Sequence, residues 1–254
     1  MSGDFYKPVN SQPENNEGTV QTIQKLSIFT GLLDVITAPS SFFKKIEGQG
    51  HTFWFPFLLI TIFGVVFYAM YTNSVDMYQL LDTTLQVSGS SIDELPPEAL
   101  GITLTITKYT LMLSPIFLGI GYLVFAVYLM IVANIVSVKK ISFGTWYAFA
   151  MWTAVPMIVS FSAMLLMFIK TGSGDNFVMV NQLNPLSLNS LIFHLDAMNP
   201  KTEVLASLDV FYFWSVGLCA FGFKQLTQSS WVSASLIIIL PIVAIKILLL
   251  FFAM

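Results

Sequence analysis

The stretch PIFLGIGYLVFAVYLMIVANIV, residues 115–136, decides the fold. It contains no charged side chain. A helix rises about 1.5 Å per residue, so roughly 20 such residues cross a ~30 Å hydrocarbon core. Inside lipid, only a helix or a closed barrel satisfies every backbone N–H and C=O. The alternating pattern of barrel strands is missing here, which leaves a helix. Moving outward, this run grows to a span at residues 111–136, and four other runs match it: residues 52–72, 146–169, 204–223 and 231–253. The expected fold is an all-α integral membrane protein, a five-transmembrane-helix bundle.

Composition agrees. Of 254 residues, 56% are hydrophobic and 10% are charged, where a soluble domain carries about 25% charge. Mean hydropathy is +0.77. The lipid bilayer is therefore the first partner. All 11 basic residues are lysines, so guanidinium clamps on phosphate are excluded. A net charge of −3 gives no basic field for nucleic acid. The one cysteine, Cys219, permits no internal disulfide and leaves the redox compartment open.

Residues 1–24 are polar, with Pro8, Pro13, Glu14 and Glu17, and hold no apolar run of a secretory signal. They are expected to form a disordered cytoplasmic tail. Residues 25–254 form the membrane domain, whose first span would also serve as the targeting signal.

Lysines set the orientation. Lys7, Lys25, Lys44 and Lys45 precede the first span; Lys139, Lys140 and Lys224 fall in short loops on the same side. The opposite side has Lys108, Lys170 and Lys201 in long loops, with Asp76, Asp82, Asp93, Glu94 and Glu98. Positive charge stays cytoplasmic, which puts the N-terminus inside and the C-terminus outside. Trp54, Tyr71, Tyr109, Trp146, Tyr147 and Trp231 stand where interfacial anchors belong.

Before the first span, Ile28, Leu32 and Ile36 recur at helical spacing. Pro39 interrupts, and Phe42, Phe43 and Ile46 make a second apolar face beside Lys44 and Lys45. This reads as a cytoplasmic interfacial helical segment, or as one that packs on the bundle. Between the first two spans, residues 73–108 read as an acidic loop broken at Pro96 and Pro97, with a short helix at residues 75–85. The apolar patch NPLSLNSLIFHL, residues 184–195, is too short to span.

Ionisable residues within spans are costly and suggest function. Asp209 and Lys246 each fall about 21–23 Å from the cytoplasmic edge of adjacent antiparallel spans. They are the candidate intramembrane ion pair. The structural alternatives are an interhelical clamp or a Lys246 that snorkels outward; these are favoured, because transporters usually show more than one such site. Pro115, Pro156 and Pro241 can kink their spans. His51 and His194 fall near opposite faces and cannot share a metal, and Cys219 has no histidine at its depth. No catalytic, metal or cofactor-binding constellation emerges, so the chain is not expected to be an enzyme.

Three stretches, LLDVITAPSSFFKKI (residues 32–46), NPLSLNSL (184–191) and LDVFYFWSVGLCAFGF (208–223), with Ser229, Ser230 and Ala234 after them, resemble the Yip family. These are the Ypt/Rab-GTPase-interacting membrane proteins, here in their bacterial branch. The resemblance covers most of the chain from about Leu26. It implies a helical five-span domain in the inner membrane of a bacterium, and relatives linked to vesicle traffic and membrane shaping. The tail lacks the long aromatic and proline-rich arm of many eukaryotic members, which argues against a GTPase partner. Two functions follow: a membrane-organising scaffold that binds other membrane proteins, or a small transporter or channel built on Asp209 and Lys246.

Overall fold

The computed structural model describes residues 26–171 and 177–252. The expected tail at residues 1–24 lies outside them. The described residues are helical, with one isolated bridge between Ser187 and Asp209. In chain order the helices are α1 (Ile28–Thr37), α2 (Pro39–Lys45), α3 (Trp54–Ser74), α4 (Met77–Val87), α5 (Pro97–Val136), α6 (Phe143–Thr153), α7 (Met157–Thr171), α8 (Lys201–Ala206), α9 (Val210–Thr227) and α10 (Trp231–Phe252).

Four segments are long and apolar enough to cross a membrane: Gly50–Ser74, Pro97–Val136, Phe143–Thr171 and Trp231–Phe251. Many of their apolar side chains face outward; Ile62, Val124, Leu166 and Leu248 are each more than half exposed. In water that surface would drive aggregation; in lipid it is the solvated surface. The chain is a multi-pass membrane protein.

Two boundaries differ from the sequence reading. The second span begins much earlier than residue 111, because Pro97 at N1 and Glu98 in the first turn start a 40-residue helix. At ~1.5 Å per residue it is about 60 Å long, twice the hydrocarbon core. The fourth run does not form one helix from residue 204. It breaks at Ser207–Asp209, and α9 begins only at Val210. α9 is not among the four long apolar segments; Lys224, Gln225 and Thr227 make its last turn polar.

The prolines act differently. α5 and α10 run through Pro115 and Pro241 without a break. At Pro156 the helix opens into the turn that separates α6 from α7.

α3 packs against α5 and α7, α5 against α6, and α9 against α6 and α10. The main core gathers at the end that carries α1 and α2, here the platform end. Trp146, Trp152, Phe42, Phe43, Phe149 and Phe223 are fully buried there. Gly222 lets α9 approach: an added Cβ would stand 2.5 Å from the Phe149 ring and 2.8 Å from the Phe43 ring. Gly64 does the same for α3 on α5, with the Pro115 ring 2.5 Å from where its Cβ would be. Two of the expected interfacial anchors, Tyr71 and Trp146, are core residues with no exposure. Trp54, Tyr109 and Trp231 are exposed, at 43%, 56% and 52%.

Candidate functional site

α9 ties together the two ends of the molecule, and each end carries candidate residues.

At the platform end, Pro39 sits at N1 of α2, where its missing N–H and fixed φ suit a helix start. Phe42 and Phe43 face inward. Phe42 meets Trp152 edge-on at 5.2 Å between ring centroids, and Phe43 meets Phe149 at 5.4 Å and Phe221 at 6.1 Å. Gln225 of α9 donates its Nε2 to the Ser40 carbonyl at 2.6 Å. Lys44 is exposed, and Lys45 pairs with Asp34 of α1 at 3.4 Å. Lys139 pairs with Glu47 at 2.6 Å and fastens the loop after α5 to the same platform. Buried between them, Trp152 Nε1 donates to Thr52 Oγ1 at 3.1 Å.

α1 has three faces. Gly31 and Val35 are buried against the bundle. Thr30 and Thr37 are exposed polar residues on the second. Phe29, Leu33 and Ile36 line the third and are 79%, 68% and 36% exposed. Their i, i+4, i+7 spacing makes an unbroken outward apolar stripe.

At the opposite, cap end, α4, the outer part of α5 and residues 177–209 close over α3, α7 and α9. Asp209 lies outside α9 as its N-cap: Oδ1 accepts from the Tyr212 N–H at 2.7 Å. Oδ2 accepts from Asn184 Nδ2 at 2.8 Å. Leu188 N donates to Leu208 O at 2.7 Å, and Val210 N to Leu186 O at 3.3 Å. The stretch from residue 184 is thereby stitched to the start of α9, with Leu191, Ile192 and Phe193 more than half exposed beyond it.

Lys246 reaches the same corner from α10. Its Nζ donates to Ser207 Oγ at 2.7 Å and stands 5.6 Å from the Tyr212 ring centroid. Ion pairs within 4.0 Å among the described residues join Lys45 to Asp34 and Lys139 to Glu47. Asp209 and Lys246 are not joined directly; each contacts Tyr212, one through its backbone N–H and one over its ring.

Beneath this corner lies a cavity of about 720 Å³, within the ~300–1,000 Å³ usual for ligand sites. Leu111, Leu118, Phe161 and Met164 line it, together with Asn181, Glu203 and Asp209. Ser160 of α7 also lines it, and its buried Oγ has no hydrogen-bond partner; nor has Asn181 Oδ1. The cavity is invisible to sequence reasoning, since α4, α5, α7 and the stretch at residues 179–209 all contribute. The signal in the sequence is Asp209 followed directly by an aromatic-rich apolar run, a helix start. Among the described residues, no three His, Cys, Asp or Glu side chains gather as metal ligands.

A family model, the Yip1 domain, matches residues 33–254. No curated protein and no solved structure matches the chain.

Proposed function

Since the chain belongs to the Yip1 domain family, we propose that it is a membrane-organising scaffold whose α1–α2 platform lies in the cytoplasmic headgroup layer and presents one face to partners. The observation that carries this is the outward stripe of Phe29, Leu33 and Ile36, on a helix whose other faces are docked or polar. A helix so built rests with one side in the acyl boundary and one in water. The docked face makes the platform part of the bundle rather than a tethered arm.

On this reading α9 is the fifth crossing. Its 18 residues span about 27 Å, near the thickness of the hydrocarbon core. Among the described residues, the platform end holds Lys44, Lys45, Lys139, Lys140 and Lys224, and the cap end holds most of the carboxylates. That distribution favours a cytoplasmic platform and an external C-terminus.

Spin labels at F29C and T30C, in a chain with Cys219 replaced, test the placement in vesicles. The label at residue 29 should be relaxed more by oxygen than by an aqueous nickel chelate, and the label at residue 30 the reverse. Equal aqueous exposure at both would remove α1 from the membrane surface. A photo-crosslinker at Leu33 in native membranes should give a discrete protein adduct; adducts to lipid alone would sink the scaffold role.

A second reading, passage of a small solute, is favoured by the cavity beneath Asp209. Solute flux into vesicles that is lost on filling that cavity would support it.

A further inference from the structure

We propose that the cap-end cavity is a binding site for an amphiphile with an apolar tail and a protonated amine head. Three observations carry this. Much of the wall is apolar, with Leu111, Leu118, Phe161 and Met164 among its lining. It offers nothing to a wholly polar ligand and suits an alkyl chain. The lining also holds acceptors. Asp209 and Glu203 supply carboxylates, and Asn181 Oδ1 is a buried acceptor without a donor. Finally, Ser160 is 7% exposed, lines the cavity, and has no partner for its hydroxyl. A buried polar atom left unpaired costs free energy, which marks this wall of the cavity as a place where the protein itself supplies no partner.

The head's charge follows from these acceptors. Two carboxylates face one ammonium, that of Lys246, which is held on Ser207 and over Tyr212 and lies within 4.0 Å of neither carboxylate among the described residues. An anionic head would be repelled by the Glu203 carboxylate. Asp209 already accepts from Tyr212 N–H and Asn184 Nδ2, so the carboxylate that a neutral head would leave without an ion-pair partner among the described residues is that of Glu203. An ammonium would answer the exposed Glu203 carboxylate and the unpaired Asn181 oxygen, both of which line the cavity.

The test uses the full chain in detergent, with dodecylamine, dodecanol and dodecanoate as probes that share one tail. Native mass spectrometry at graded probe concentrations should show saturable binding of one dodecylamine, at least tenfold tighter than dodecanoate. Glu203→Gln, on an exposed side chain, should remove most of that preference and leave the fold intact. Ser160→Leu should fill the cavity and abolish saturable binding of all three, while the unfolding midpoint stays at or above that of the parent. Equal binding of the three probes, or binding unaffected by Ser160→Leu, would mean partition into the micelle and overturn the site. Phosphatidylethanolamine added in competition identifies the source of the head: displacement of dodecylamine assigns it to a bilayer lipid, and no displacement to a free amphiphile.

Discussion

The two ends of α9 are built on opposite plans. At the platform end, rings fill the space around Gly222: Phe42, Phe43, Phe149, Trp146 and Phe223 are all without exposure. Its polar groups are paired across elements, Lys45 with Asp34, Lys139 with Glu47 and the buried indole N–H with Thr52, while Gln225 Oε1 stays without a partner. At the cap end, the backbone is held by a lattice of short hydrogen bonds around Asp209 and Asn184, yet those bonds frame a void lined by unpartnered atoms. Dense packing stabilises one end by contact area. The other is held by directional bonds and leaves room inside. A protein interior is normally filled, and the cap end departs from that rule around its cavity of about 720 Å³.

That contrast can be broken most forcefully at the platform. Phe43→Ala removes a ring packed against Phe149 and Phe221 and should cost about 3–5 kcal/mol. It would appear as a lower unfolding midpoint and reduced yield in detergent. A loss under about 1 kcal/mol would mean that α2 is a loosely resting arm. At the cap, Asn184→Ala takes the donor from Asp209 Oδ2 and should cost about 1–3 kcal/mol. The effect should be local: faster protease cutting within residues 177–209, with a small change in global midpoint. A full global collapse would erase the distinction between the two ends. The smallest effect is expected from Ser160→Ala. Its hydroxyl has no partner, so thermal unfolding should shift by no more than about 0.5 kcal/mol in either direction. A clear destabilisation would reveal a bond to a molecule that co-purifies in the cavity.

Hydropathy converts well into helices where lipid alone decides the outcome. The runs at residues 52–72, 146–169 and 231–253 correspond closely to α3, α6–α7 and α10. It fails where the helix leaves lipid. Thr103, Thr105 and Lys108 lower the local average ahead of residue 111, but the helix needs only a start signal, and Pro97 with Glu98 supplies one. It fails again at Asp209, where apolar residues on both sides disguise a cap as the middle of a span. Tyr71 and Trp146 show a third limit. An aromatic at a span end suits the interface, but its burial depends on which helix arrives beside it, and Tyr71 instead donates its hydroxyl to the Val178 carbonyl at 3.0 Å. The platform was half visible: the apolar spacing of α1 and α2 is written in the sequence, while the choice of Phe42 and Phe43 as the docked pair is made by Trp152, Phe149 and Gly222, far along the chain. The cavity was not visible at all, because a void belongs to no residue.

The length of α5 has a mechanical consequence. A rod about 60 Å long cannot be hidden within any bilayer, and its outer third carries Ile102, Ile106 and Tyr109 more than half exposed, alternating with threonines. Such a mixed surface is acceptable to both hydrocarbon and headgroups. When the surrounding membrane thickens, the waterline can climb this shaft by a turn or two without forcing the bundle to lean or bend.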